Sequence, residues 1–326
     1  MTDLTTKYLG LELKNPVIAG ASNLVTDLKV VRELEEAGVA AIVYKSLFEE
    51  QIQLESLQME QELDEHSDLH AEMTSLFPKL QHAGPEEHLH HLKKVKENVK
   101  IPVFASLNAV FEPTWIEYAE KLQETGIDGI EVNFYAVPKD PAKDEQKVVD
   151  EQIAILKKIK QRIKIPVAVK LSPFYTNALK IIHDMAVTGV DGFVLFNRLF
   201  QPDINIDNES LHYPYNLSHP EENRLALRFA GLLYGEVDAS VCANGGIFDG
   251  KDVIKMILAG ADAVQVVSTL YKNKPAYVTT ILNDISAWMD KKGYKTLEEF
   301  KGKLSRKNVK DPYAYKRAQY VAVSYT

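Results

Sequence analysis

Residues 239–271 read Ala-Ser-Val-Cys-Ala-Asn-Gly-Gly-Ile-Phe-Asp-Gly-Lys-Asp-Val-Ile-Lys-Met-Ile-Leu-Ala-Gly-Ala-Asp-Ala-Val-Gln-Val-Val-Ser-Thr-Leu-Tyr. An apolar run, a glycine pair, a helical pattern, a glycine stop and a second apolar run follow one another, which is the signature of a strand, helix, strand unit. Gly245 and Gly246 carry no Cβ, so their N–H groups can close on an anion. The Ser268-Thr269 turn opens a short helix and can present its own N–H groups to the same anion. In parallel α/β barrels the loops after the last two strands commonly form a phosphate site, and this stretch is expected to hold one. The competing reading is a purely structural turn.

The same grammar recurs upstream. "EEAGVAAIV", "QETGIDGIEV" and "AVTGVDGFVL" repeat the pattern of "ILAGADAVQV", namely a helix end, a glycine stop and a buried strand. Strands are expected at 17–19, 40–44, 103–107, 129–132, 167–171, 192–196, 240–243 and 263–267. Eight strands alternating with helices predict an α/β fold of the (β/α)8 TIM-barrel type, in one domain spanning 1–326. Asp27 and Asp249 are candidate helix caps, Gly38 and Gly260 candidate stops, and Glu112-Pro113 a helix start.

Two regions break the rhythm. Residues 46–90 hold eleven acidic side chains and one lysine in a mostly helical pattern, an expected insertion that either roofs the site or is a solvated helix. Residues 303–326 form a tail rich in Lys, Arg and Tyr that is expected to dock on another surface or another subunit.

Composition narrows the function. Hydrophobic residues make up 45% of 326, enough for a sizeable core. No apolar run is long enough for a membrane span, and a soluble, cytoplasmic protein is expected. The lone Cys242 allows no internal disulfide and lies in an apolar strand pattern. With a net charge of −8 and no basic stripe, nucleic acid is not an expected partner. No Cys-x-x-Cys occurs, and the spaced pair His66 and His70 reads as solvated, as do His82, His88, His90 and His91 in a charged, loop-like stretch. No metal site is expected.

Side chains at the C-terminal ends of barrel strands converge on the mouth. Those positions hold Gly20 to Asn23, Lys45 and Ser46, Ser106 to Asn108, Asn133 to Pro138, Lys170 to Ser172, and Asn197 and Arg198. Lys170 ends the run "IPVAVK" and Lys45 ends "AAIVYK", so each carries an ammonium toward a crowded interior. Burying that charge requires an anionic or electron-rich ligand or a buried carboxylate such as Glu131. Asn133 and Asn197 offer donor and acceptor to a planar heterocycle edge. Two lysines, two asparagines and a phosphate grip describe a site for a phosphorylated ring.

On these residues the chain resembles the dihydroorotate dehydrogenase family of FMN-containing barrels over roughly residues 8–304. "NPVIAGAS" is similar to the family's opening strand and flavin-contacting turn, "YKS" to its lysine and serine beside the flavin, "VNF" to its asparagine and "PVAVKLSP" to its strand lysine. "NGGI" and "AGADAVQVVSTL" resemble the FMN-phosphate segment. The resemblance implies an FMN-dependent oxidoreductase acting on a CH–CH bond. It implies flavin contacts from Ala19, Gly20, Ser22, Lys45, Ser46, Asn108, Asn133, Lys170, Asn244, Gly245, Gly246, Ser268 and Thr269. A small-molecule substrate and a homodimer are the partners it implies.

A reduced flavin carries negative charge near N1, and a lysine about 4 Å away contributes on the order of 4 kcal/mol at an effective dielectric near 20. For a two-electron couple that is roughly 90 mV as an upper bound.

The chain also departs from the family pattern. Where the family has a serine or cysteine base, a gapless match puts Ala136. The family's Asn-Ser-Met-Gly-Leu-Pro-Asn-type substrate loop is absent, and Arg198 follows Asn197 where a small polar residue is usual. Arg198 could recognise a carboxylate through its fork or hold the acidic insertion. Tyr135, whose phenol titrates near 10, is a proton donor rather than a base. The catalytic set expected is therefore Tyr135, Lys45, Asn197 and Arg198. Three readings stay open: a dihydroorotate dehydrogenase-like oxidoreductase, a flavin-binding protein with impaired activity, and a flavin-free phosphosugar enzyme.

Overall fold

Eight short strands pair edge to edge, all in parallel, and close on themselves in the computed structural model, which describes residues 2–53, 85–134, 141–198, 203–212 and 217–315. They are β1 (Val17–Ala19), β2 (Ala41–Val43), β3 (Val103–Asn108), β4 (Gly129–Phe134), β5 (Val167–Leu171), β6 (Gly192–Leu195), β7 (Ser240–Asn244) and β8 (Ala263–Val266). Each pairs with the next, and β8 pairs with β1 through Val264 and Val17. The expected (β/α)8 barrel is thus the observed one, with strand ends within two residues of those read from the sequence.

The helices between strands are α1 (Leu28–Ala37), α2 (Pro85–Asn98), α3 (Glu112–Glu124), α4 (Glu145–Arg162), α5 (Ala178–Ala186), α6 (Asn223–Leu233) and α7 (Gly250–Ala259), followed by α8 (Ser268–Asn273) and α9 (Tyr277–Lys292). Their punctuation is local chemistry. Asp27 accepts from the Lys29 N–H and Asp249 from the Asp252 N–H, each relieving an unpaired donor at a helix start. Gly38 ends α1 at φ 107°, a backbone conformation in which a side chain would be strained.

The alternation of strand side chains sorts the interior into layers. Ile18, Ala41, Val43, Phe104, Ala168, Val194, Cys242 and Ala263 fill the lower barrel as one buried apolar cluster. Two residues further along, most of the same strands turn polar: Lys45, Ser106, Lys170, Asn244 and Gln265. The barrel changes from oil to hydrogen-bonding groups within one pleat.

Below the apolar layer sits an antiparallel hairpin, Thr6–Tyr8 paired with Leu11–Leu13, that sequence reading did not include. Tyr8, Leu9 and Leu13 are buried in the same cluster, Tyr8 packs edge-on against Phe104 with ring centroids 5.9 Å apart, and the Leu9 N–H donates to Ser240 Oγ at 3.1 Å. The hairpin seals the N-terminal end.

Part of the expected insertion is barrel scaffold. Leu47–Phe48 extends the sheet beside β3, and the buried Glu49 carboxylate accepts from the Val110 and Phe111 N–H groups and from Thr114 Oγ1. At the other end α2 is the helix linking β2 to β3. His88, His90 and His91 lie on it rather than in a loop, and His88 is buried against Tyr44, so solvation was the wrong expectation for that residue. The sequence pattern missed it because His88 follows the helical period of Leu89, Leu92 and Val95 within a strongly charged stretch. Residues 54–84, which include His66, His70 and His82, lie outside the described residues.

Up to Tyr315 the tail docks on its own barrel. Gly302 and Leu304 N–H groups donate to Ile257 and Leu258 carbonyls, and Arg228 donates to the Tyr315 carbonyl at 2.9 Å. Among the described residues no helix is long and apolar enough to cross a membrane.

Candidate active site

At the C-terminal end of the barrel the polar layer opens into a cavity of about 380 Å³. Its wall comes from almost every side of the mouth: Ala21, Ser22 and Asn23 after β1, Lys45 and Ser46 after β2, Lys170 on β5, Asn197 and Arg198 after β6, Asn244 and Gly245 at the end of β7, and Val267, Ser268 and Tyr271 after β8. A neighbouring hollow of about 310 Å³ shares Asn197, Arg198, Asn244 and Gly245 with it.

One wall combines engaged donors with an open stretch of backbone and an orphaned hydroxyl. Gly245 has φ +88° and nothing within 4 Å of where a Cβ would stand, so its backbone is open to a close-lying group. Gly246 is the opposite case, because a Cβ there would meet the Asn223 nitrogen at 2.5 Å. Its N–H already donates to Ser218 Oγ at 3.3 Å. Ser218, from the long connection before α6, bridges both arms: its N–H donates to Ser268 Oγ at 2.9 Å and the two hydroxyls lie 2.8 Å apart. Thr269 is fully buried and its hydroxyl donates to the Phe248 carbonyl at 2.8 Å, which leaves only backbone for a ligand. Among the described residues Ser22 Oγ, buried beside the cavity, has no hydrogen-bond partner, the kind of orphaned polar atom that a bound group normally satisfies.

The floor is charged. Lys170, 7% exposed, donates to Glu131 Oε1 at 3.2 Å and to Gln265 Oε1 at 3.3 Å. The structure shows the pairing with a buried carboxylate, and the same lysine lines the cavity. Lys45 lines the opposite wall and makes no ion pair among the described residues. Behind it His88 is pushed down to about 4, first by burial and then by the Lys45 charge, and its Nε2 has no partner among the described residues. Burial likewise pushes Tyr44 up to about 12.

The remaining residues form the rim. Asn197 Nδ2 donates to Asn133 Oδ1 at 2.9 Å, joining two candidates from different strands. Asn244 donates to the Phe196 carbonyl at 2.8 Å, and Ser46 and Ser106 hydroxyls lie 2.7 Å apart. Arg198 spreads its fork on Glu222, with Nε to Oε2 at 2.9 Å and NH2 to Oε1 at 3.3 Å. Burial would raise the Glu222 carboxyl, but the hydrogen bond from Arg198 and the His219 N–H outweigh it and hold it below its usual range. That partner is not in the acidic insertion and could not be read from spacing, since Glu222 sits between Glu221 and Arg224 with no motif to single it out.

Ala19 ends β1 behind the wall and Gly20 follows it, where a Cβ would meet Val267 at 2.8 Å, so that glycine is needed for close packing against β8's end. Asn108 is buried at the end of β3. Tyr135 and Ala136 lie outside the described residues. Sequence reasoning missed Phe48, on the short strand beside β3, Tyr271, on α8, and Leu217 and Ser218, which come from a connection without periodicity.

A family model described as dihydroorotate dehydrogenase matches residues 78–289. Among curated proteins, the dihydroorotate dehydrogenase B (NAD(+)) catalytic subunit of Thermoplasma volcanium is 28% identical over 312 residues, covering 93% of this chain and 98% of the relative. That of Methanocaldococcus jannaschii is 26% identical over 312 residues, covering 92% and 97%. The dihydroorotate dehydrogenase A (fumarate) of Lactobacillus helveticus is 28% identical over 214 residues, covering 63% and 68%. A closed (β/α)8 barrel with a donor-lined cavity at its mouth, matched along nearly two thirds of its length by that model, belongs to the dihydroorotate dehydrogenase family of oxidoreductases.

Proposed function

We propose that the chain is an FMN-dependent oxidoreductase acting on the CH–CH or C=C bond of a small, polar, anionic heterocycle such as dihydroorotate. One observation carries the reading: the open backbone at Gly245, the orphaned Ser22 hydroxyl and the Ser268 turn share a single cavity with the buried ammonium of Lys170. FMN, when bound, supplies two-electron hydride chemistry. The residues present fit it. Gly245 and the amides opening α8 would hold the phosphate end, with Ser218 keeping the two arms at a fixed separation. Lys170 would favour negative charge on the ring.

The substrate's carboxylate falls to Lys45, because the Arg198 fork is engaged by Glu222 and Lys45 is not paired among the described residues. The Asn133 and Asn197 pair presents an amide edge to ring carbonyl and N–H groups. Tyr135 delivers or receives the proton at the carbon opposite the hydride. A phenol gives up a proton to a developing carbanion more readily than it removes one at neutral pH, so such a group suits reduction of an activated double bond.

Purified protein is expected to be yellow and to bleach with dithionite. A folded, colourless protein that takes up no added FMN sinks the proposal. Ala136 at the family's base position favours a second reading, flavin binding without turnover of dihydroorotate. Anaerobic mixing with dihydroorotate separates the two, since bleaching of the flavin supports turnover and its persistence supports the second. The flavin-free phosphosugar reading needs free carboxylates at the mouth, and Glu131 is already engaged by Lys170 and Gln265.

A further inference from the structure

Beneath the cavity lies a second buried charge. Glu131 is 2% exposed and Gln265 1%, and neither lines the cavity that Lys170 does. The three side chains form a closed ring of contacts. Lys170 Nζ donates to Glu131 Oε1 at 3.2 Å and to Gln265 Oε1 at 3.3 Å, and Gln265 Nε2 donates to Glu131 Oε2 at 2.5 Å. Each group therefore fixes the other two, although they come from β4, β5 and β8. Two of the three ammonium N–H groups are directed down into this ring, and the side chain that carries them forms part of the cavity wall.

A carboxylate this close to an ammonium has an electrostatic consequence for anything above it. The pair is a dipole, positive end toward the cavity, and a ligand feels the lysine reduced by the carboxylate behind it. The groups packed under Glu131, Tyr8 and Cys242, are both kept neutral by burial, so they do not offset it.

We propose that Glu131, braced by Gln265, is a positioning residue that holds Lys170 at the cavity floor and lowers the reduction potential of the flavin bound above it. The inference rests on the flavin reading above. Its sign follows from charge alone. A flavin gains negative charge on two-electron reduction, so a nearby cation raises the potential and a carboxylate behind that cation pulls it back.

The test is a potentiometric titration of the FMN-loaded protein against a reference dye. In Glu131→Gln the ratio of reduced to oxidised flavin at a fixed potential is expected to rise about tenfold, or about 30 mV for a two-electron couple. In Lys170→Met it is expected to fall by about the same factor or more. Opposite signs are what a charge effect requires. Shifts of the same sign, or none in a flavin-loaded Glu131→Gln protein, overturn the inference and leave the flavin reading intact. Should Glu131→Gln lose its fold, Glu131→Asp carries the test, because it keeps the charge but draws it away from the ammonium. A rise of about twofold is expected there, and an unchanged ratio overturns the proposal. A wild-type protein that holds no FMN overturns both readings.

Discussion

The two ends of this barrel are made by the same eight strands and are built on opposite principles. At the closed end Tyr8, Leu9 and Leu13 press into an apolar layer, and the hairpin's polar groups find partners, as in the Leu9 N–H to Ser240 Oγ and Thr6 Oγ1 to Asp262 carbonyl bonds. At the open end Ser22 Oγ and His88 Nε2 are buried without partners and Lys45 is unpaired among the described residues. The difference teaches that the strands invest their apolar positions in stability and leave hydrogen-bonding capacity unspent two residues later. Binding can then use donors whose loss does little to the fold.

The largest effect that could break this comparison is at the closed end. Replacing Tyr8 by Ala removes a fully buried ring and is expected to lower stability by about 3–5 kcal/mol in urea denaturation. The flavin spectrum of the protein that remains folded should be unchanged. A normal midpoint with a lost spectrum would reverse the assignment of roles.

A middle-sized effect comes from His88, beside the mouth. Its folded-state value near 4 lies below the ordinary 6.5, because burial and Lys45 penalise its charged form. The neutral fold therefore gains stability that is fully present above pH 6.5 and lost as pH falls toward 4. Roughly 2–3 kcal/mol should disappear by about pH 4.5. His88→Gln is expected to flatten that decline in denaturant midpoints. An unaltered acid slope would mean that other groups govern it.

The smallest effect is at the orphaned hydroxyl. Ser22→Ala should leave the melting temperature of the flavin-free protein unchanged or slightly higher, since it deletes an unsatisfied buried group. FMN affinity is expected to fall about two- to tenfold, the worth of one hydrogen bond. Equal affinity in a flavin-binding assay would remove Ser22 from the site.

Legibility followed the range of the interactions involved. The eight strands and their glycine stops could be read because alternation, capping and positive-φ turns are local, as at Asp249, Gly38 and Gly260. The Thr6–Leu13 hairpin also alternates, with Lys7 and Glu12 outward, yet three-residue strands carry little signal until a barrel end exists to bury them. His88 was hidden by its charged neighbours. Glu131 was named as one partner for the lysines, but which lysine it meets depends on a contact across 39 residues. The Arg198 and Glu222 pair and the Ser218 bridge lie in connections with no period at all.

The sequence by itself determined the strand and helix order, the closure implied by eight such units, and the residue types at the mouth, because period, capping and turn chemistry act between near neighbours. Only the tertiary structure decided which donors are already used and which stay open. Hydrogen bonding saturates, and its partners are assigned by packing between segments far apart in the chain: Gly246 bonded to Ser218 while Gly245 faces space, Lys170 paired while Lys45 makes no ion pair among the described residues.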